Sequence, residues 1–299
     1  MSTDPAHASD NPGIHRFTVG GVEAVVLSDG QRVYPLQASP IANAGLEEVG
    51  AALAETDIPS GHMRVEFNAL AIRTDNGWLL IDTGNGPTRF PTTGKLPARL
   101  AEAGIRPEDV TAIAISHFHP DHINGLLTRA EEPAFPKARI VGPQAEIDYW
   151  LTEKPGAEAE DPALAGHFAN ARRVFERIAM VRGFDEGDEI VPGVIAVSTP
   201  GHTPGHSSFE IRHGGSRLLV IGDAINQPVL YAAHPDWQPV ADILKPEAVR
   251  TRRTILDACS SDGRIVIGYH FPFPGLGRLE SSGEGYRFRP LTDGERSAC

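Results

Sequence analysis

Four apolar runs in this chain lead directly into residues of metal-binding type, and that arrangement restricts its architecture more than any other feature. "TAIAIS" is followed by His117, His119, Asp121 and His122; "VIAVSTPG" by His202; "RLLVIG" runs into Asp223; "RIVIGY" ends on His270. Short apolar runs bounded by turn residues read as buried strands, and loops at strand ends are where rigid scaffolds carry functional groups. A single histidine after a strand is ordinarily a hydrogen-bonded structural residue, and Asp223 alone could cap a turn. The stretch "SHFHPDHING" is different. Gathering three histidines and an aspartate between His117 and His122 would be costly if they stayed unpaired beside a buried strand. Neutral imidazole and carboxylate are what divalent transition metals favour, so the cluster predicts a metal. With a metal there, His202, Asp223 and His270 become its expected partners.

The remaining pattern supplies a scaffold. "HRFTVGGVEAVVLSDG" predicts two strands joined by a tight Gly-Gly turn, and "MRVEFNALAIRTDNGWLLIDTG" a second pair turning at "DNG". Helices are predicted over "GKLPARLAEAG", "QAEIDYWL", "PALAGHFANARRVFERIAM" and "PEAVRTRRTILDAC", and strands over "ARIVGP", "DEIVPGVIAVSTPG" and "SSFEIRHGGSRLLVIGD". "NGWLLIDTG" and "GSRLLVIGD" repeat one theme: a turn, an apolar strand and a terminal aspartate. Two such β-then-α halves predict an α/β protein, a four-layer α/β/β/α sandwich. Residues 15–299 are expected to form one domain after a flexible N-terminus, 1–14. Residues 31–62, with a weak helical pattern in "AGLEEVGAALAET", are expected to form a lid or the contact of a homodimer.

Composition narrows the partners. Twenty-seven basic against 39 acidic residues leave a formal net charge of -12, which disfavours nucleic acid. "RRVFER" and "RTRR" sit in helical patterns and read as solvated helix faces. There is no apolar run of about 18 residues to span a membrane and no secretory pattern at the start, so a soluble, cytoplasmic protein is expected. The two cysteines, Cys259 and Cys299, lack CxxC partners, so any metal rests on His and Asp.

The HxHxDH of His117–His122, "PGHTPGH" around His202, "GD" at Asp223, "GYH" at His270 and the early "LLIDTG" at Asp82, in this order, resemble the metallo-β-lactamase fold superfamily. The resemblance implies the α/β/β/α sandwich with a dinuclear site at one edge. By motif, His117, His119 and His202 would take the first metal, Asp121, His122 and His270 the second, and Asp223 would bridge them. Asp82 resembles the acid that orients a ligand histidine, and His206 a residue that braces the ligand loops. The implied cofactor is a pair of divalent ions, zinc first, with manganese, cobalt or iron as alternatives.

Two such ions would lower the pKa of a shared water and polarise a C=O or P=O, with Asp121 passing a proton to the leaving group. The implied chemistry is hydrolysis. Asp223 argues against the β-lactamase branch, which lacks the bridging aspartate. The tail "GYHFPFPGLGRLESSGEGYRFRP" is similar to that of the methyl parathion hydrolase group and of related N-acyl-homoserine lactonases. Two positions depart from the pattern: Asn226 stands where many lactonases have tyrosine, and Arg278 where histidine is expected. A small apolar ester or lactone substrate follows, with Phe118, Asn226, Trp237, Phe271 and Phe273 as candidate pocket residues. Opening of N-acyl-homoserine-type lactones is the leading expectation. Hydrolysis of an organophosphate triester or aryl ester, and a mononuclear-iron redox protein of persulfide dioxygenase type, are the alternatives. A metal-stabilised scaffold without turnover would be expected to have lost some of its ligands.

Overall fold

The computed structural model describes residues 12–87, 90–152, 161–178 and 181–296. The first sheet contains, in spatial order, β1 (Ile14–Val19), β2 (Val22–Pro35), β3 (His62–Thr74), β4 (Gly77–Ile81), β5 (Val110–Ala114), β6 (Arg139–Pro143) and β7 (Val181–Phe184). The second contains β8 (Glu189–Val191), β9 (Val194–Ser198), β10 (Ser207–His213), β11 (Ser216–Gly222), β12 (Ile265–Gly268), β13 (Leu276–Ser282) and β14 (Gly285–Pro290), again in chain order. Pairing is antiparallel except for β4 through β7 and for β11 with β12. The turn between β1 and β2 uses Gly20 and Gly21, both at positive φ, as a two-residue hairpin with matching twist requires.

The helices are α1 (Leu46–Leu53), α2 (Leu96–Glu102), α3 (Pro120–Ile123), α4 (Gln144–Ile147), α5 (Pro162–Glu176), α6 (Pro228–Tyr231), α7 (Lys245–Asp262) and α8 (Asp293–Arg296). Strand alternation sorts the apolar side chains into three cores. Leu70, Ile72, Leu79 and Ile81 meet Phe209, Ile211, Leu218 and Val220 between the sheets. The intervening residues Ala69, Ala71 and Leu80 face outward onto Leu96, Leu100, Phe168 and Val174 of α2 and α5. Leu219, Ile221 and Val266 pack outward onto Val49, Leu230, Ile255 and Leu256 of α1, α6 and α7. Each fully buried Leu, Ile or Phe contributes roughly 1.5–3 kcal/mol. The result is the expected four-layer sandwich.

Four details differ from expectation. Of the segment expected to be flexible, residues 1–11 lie outside the described residues, whereas Ile14 already belongs to β1 and the Gly13 carbonyl accepts from Ser28 N at 2.9 Å. "QAEIDYWL" is helical only over α4 and then widens into a π-type turn over residues 148–152. The helix expected to reach residue 180 ends at Glu176, and residues 179 and 180 lie outside the described residues. The hairpin β13–β14 and the short strand β7 had no expectation. Their half-polar patterns, "LGRLESS" and "VRGF", carry little periodic signal.

Candidate metal centre

The sheets are stitched together at the edge where the histidines gather. Ser207 N donates to Ser116 O at 3.0 Å and Asn68 N to Tyr269 O at 2.9 Å, so backbone from one sheet is bonded to backbone beside the ligands of the other. After β5 the chain turns at Pro120, which opens the one-turn α3 because its missing N–H would be unpaired there anyway. His119 precedes this turn, Asp121 and His122 lie on it, and His122 N bonds His119 O at 3.0 Å. Gly222, at φ +54, ends β11 just before Asp223. A Cβ at Gly222 would lie 2.6 Å from His206 Nε2, so the position needs both a left-handed backbone and no side chain.

The seven side chains expected as ligands converge. The ligand atoms of His117, His119 and His202 lie within 4.8 Å of one another, as do those of His117, His122 and Asp223, and of Asp121, His122 and His270. Asp223 stands centrally, with Oδ2 at 3.3 Å from His202 Nε2 and 3.1 Å from His270 Nε2, and Oδ1 at 3.4 Å from His122 Nε2. Asp121 Oδ2 lies 3.5 Å from His270 Nε2 and 3.7 Å from His122 Nε2. His119 Nδ1 is 2.9 Å from His202 Nε2. Three buried atoms in this cluster, His117 Nε2, His122 Nε2 and Asp223 Oδ1, have no hydrogen-bond partner. Buried polar atoms are rarely left so, and their convergence in an all-nitrogen-and-oxygen donor set suits a divalent cation.

The surrounding shell fixes the rings. Asp82 Oδ2 accepts from His122 Nδ1 at 2.9 Å and from Ser116 Oγ at 2.8 Å, while its Oδ1 accepts Ser116 N at 2.8 Å. Asp82 itself holds φ +59, a conformation costing about 1–2 kcal/mol for most residues but milder for aspartate, and these bonds hold it. His270 Nδ1 donates to Glu66 O at 2.7 Å. His206 is not placed as a ligand: its Nε2 accepts Asp223 N at 2.9 Å, and its Nδ1 bonds Thr199 Oγ1 at 2.8 Å. Burial drives its pKa down to about 3, so it is a neutral brace behind Asp223. Burial, reinforced by neighbouring histidines, also holds His117 and His119 well below the ordinary value, which keeps their lone pairs available.

Three residues around the centre escaped the sequence reading. Asp242 Oδ1 accepts from His202 Nδ1 at 2.9 Å, and Arg252 Nη2 bonds Asp242 Oδ2 at 3.0 Å. Glu146, fully buried, accepts Phe118 N at 2.8 Å, Gly205 N at 2.8 Å and Trp150 Nε1 at 2.7 Å. Arg252 corrects the reading of "RTRR" as a solvated face. Ala248, Ile255, Leu256 and Cys259 give α7 one inward stripe, and Arg252 falls on that stripe. A helical charge run shows no sign in the sequence of which member turns inward.

A cleft of about 310 Å³ opens over the cluster, lined by His119, Asp121, His202, Asp223 and His270 together with Tyr34, Phe67, Phe90, Tyr231 and Asn226. Asn226 therefore reaches the site. The four candidate aromatics do not line this cleft. Phe118 is fully buried against Phe175, Phe271 packs edge-on to Phe288 in the outer core, and Trp237 stacks on His234. Phe273 lines a separate cavity of about 790 Å³. Nearness in sequence to a ligand misled here, because successive side chains after a strand point to opposite sides. The cleft's own aromatics come from β2, β3, the loop after β4 and α6.

This combination of fold and site defines a class, proteins of two sandwiched sheets with a cluster of metal-ligand residue types at one edge. The chain belongs to the metallo-beta-lactamase superfamily, whose family model matches residues 67–269. It is 28% identical over 186 residues to a probable metallo-hydrolase of Mycobacterium tuberculosis, covering 52% of this chain and 56% of that protein. It is 30% identical over 172 residues to an N-acyl homoserine lactonase of Bacillus thuringiensis, covering 50% and 60%. The chain thus spans somewhat more than half the length of these relatives. Among solved structures, the hydrolase AbOPH of the beta lactamase superfamily superposes with a TM-score of 0.84 at 26% identity, over 94% of this chain and 98% of that one. AidC, a dizinc quorum-quenching lactonase solved with the product N-hexanoyl-L-homoserine, shares the fold with a TM-score of 0.85 at 24% identity, over 94% and 98%. Among the described residues, no helix is long and apolar enough to cross a membrane.

Proposed function

We propose that this chain is a dinuclear-metal hydrolase that opens lactones of the N-acyl-homoserine type. The observation carrying the reading is the convergence of seven ligand-type side chains, three of them with an unpartnered buried atom, beneath a small aromatic-walled cleft. His117, His119 and His202 would hold one ion, Asp121, His122 and His270 the second, and Asp223 would bridge them. With two such ions bound, the site would have hydroxide available at neutral pH and a polarised substrate carbonyl, zinc being the first assignment for this donor set.

The chain's own groups do the rest. Asp121, partly exposed in the cleft, carries the proton to the oxygen released when the ring opens. Tyr34, Phe67, Phe90 and Tyr231 exclude water and take an acyl chain. Segment 31–62 supplies a wall of the cleft: Ala42 N bonds Gln238 O at 2.7 Å and Val240 N bonds Pro40 O at 2.9 Å, which fastens the two rims together. Asn226 favours a second reading in the same cleft. Its amide, 3.5 Å from Asp223 Oδ2, is a shorter group than the tyrosine of many lactonases, and the room it leaves suits a phosphotriester or aryl ester.

The test is metal counting by mass spectrometry on protein purified under defined metals, with a pH-indicator screen against N-acyl-homoserine lactones of graded acyl length and methyl paraoxon. Two ions per chain and lactone opening abolished in His119→Ala and Asp223→Ala support the reading. Turnover of methyl paraoxon alone selects the second reading. One iron per chain with no hydrolysis overturns both.

A further inference from the structure

Arg252 is among the largest fully buried side chains in the protein. A guanidinium taken out of water costs roughly several kcal/mol unless its donors are satisfied, and here they are shared among three segments. Nε donates to Ala224 O at 3.3 Å, Nη1 to Pro235 O at 3.0 Å and Trp237 O at 2.7 Å, and Nη2 to Asp242 Oδ2 at 3.0 Å. Asp242, equally buried, uses its other oxygen on His202 Nδ1. Ala224 directly follows Asp223. One side chain on α7 therefore anchors both the residue after the bridging carboxylate and the carboxylate that orients His202. Neither Asp242 nor Arg252 lines the cleft.

The chemistry of this arrangement is directional. An imidazole whose Nδ1–H is held by a carboxylate presents its Nε2 lone pair in one fixed direction. His122 has the matching arrangement with Asp82, at the same 2.9 Å. The two carboxylates hold different rings of the cluster. The Asp82 side chain bonds Ser116 and His122, whereas the Asp242 side chain bonds His202 and Arg252.

We propose that Asp242 and Arg252 are a positioning pair that sets the affinity of the ion held by His117, His119 and His202, independently of the ion held by Asp121, His122 and His270; this rests on the dinuclear reading above. Asp242 acts through His202. Arg252 acts by holding Asp242 in place. Asp82 performs the equivalent task for His122 of the other ion, and its partner Ser116 Oγ also lies 3.1 Å from His117 Nδ1.

The experiment loads the wild-type protein, Asp242→Asn, Arg252→Met, Asp82→Asn and the Asp82→Asn/Asp242→Asn double variant with cobalt(II), then titrates each with a chelator. Bound cobalt is counted, the visible cobalt spectrum is followed, and Tm is measured after metal removal. Asp242→Asn keeps the shape of the side chain, so it reports even if Arg252→Met fails to fold. In Asp242→Asn one ion is expected to be lost at about 10–100-fold lower chelator strength while the other stays at wild-type affinity. Asp82→Asn is expected to weaken the other ion, with a different spectral component changing, and the double variant to weaken both. Loss of both ions in parallel from Asp242→Asn, or of neither, overturns the proposal while leaving two ions in the wild type intact. Fewer than two cobalt ions in the wild type overturns the dinuclear reading and the positioning pair with it.

Discussion

Glu146 accepts the amide of Gly205 at 2.8 Å with one oxygen, while its other oxygen accepts the Phe118 amide at 2.8 Å. A single buried carboxylate thereby ties the loop of His117 and His119 to the loop of His202 and His206. Burial pushes its carboxyl pKa up, and the hydrogen bonds from the two amides and Trp150 oppose that rise. Glu146→Gln turns one acceptor into a donor facing an N–H. It is expected to cost about 1–3 kcal/mol of stability, read by urea unfolding of the metal-free protein. An unchanged midpoint would show that the loops hold their places without this link.

Metal ions should stabilise the fold, because the buried His117 Nε2, His122 Nε2 and Asp223 Oδ1 would gain a partner when a cation binds. An ion present at a hundred times its Kd adds about 2.7 kcal/mol. That corresponds to a rise in Tm of several degrees for a chain of this size. Thermal unfolding with added zinc or manganese should exceed that in excess chelator, and the difference should shrink in Asp223→Ala. Equal midpoints with and without chelator would remove the metal from the account of this site.

Phe90 lines the cleft, and the Arg32 guanidinium stacks over its ring at 3.7 Å. Phe90→Ala removes an apolar wall and the surface that steadies Arg32. A roughly tenfold rise in KM for long-chain lactones is expected, within the 1–3 kcal/mol that an apolar pocket contact supplies, with kcat little changed. Steady-state kinetics across the acyl series checks it. A fall in kcat with unchanged KM would mean that Phe90 acts on the reacting centre instead.

Acid sensitivity should have a source far from the metal centre. Burial pushes the Glu210 carboxyl up, but Arg212 and Arg217 bonded to it outweigh that and hold it below the ordinary glutamate range. Arg212 Nε reaches it at 2.6 Å and Arg217 Nε at 2.7 Å. A carboxyl whose pKa is lower folded than unfolded stabilises the protein above its unfolded value. That contribution is lost as pH falls through the folded value. Unfolding free energies measured from pH 7 down to pH 3 should therefore fall less steeply in Glu210→Gln, although that variant starts lower at pH 7. Parallel curves would assign the acid loss elsewhere.

The site shows what a sequence can and cannot reveal. His117, His119, Asp121 and His122 declare themselves because four ligand-type residues in a short stretch after a strand have no inexpensive structural use. His202, Asp223 and His270 follow because each closes an apolar strand, and strand periodicity is a local property. The layers are legible for the same reason: Ala69 and Leu70, or Leu80 and Ile81, alternate between two cores.

The supporting residues are of another kind. Asp242 lies 40 residues from the histidine it orients, and Glu146 lies 59 from Gly205. Arg252 looks like any charge on a helix. Phe118 and Phe271 look like pocket residues and belong to the core, while Phe67 and Phe90 wall the cleft. The chain's own order determined the donor set and the sandwich, because ligand clustering and a period of two are short-range signals. Tertiary structure alone decided which carboxylate holds which ring, which arginine is buried and which aromatics face the cleft. Those outcomes depend on how distant segments meet when the two sheets pack, and no local pattern encodes that meeting.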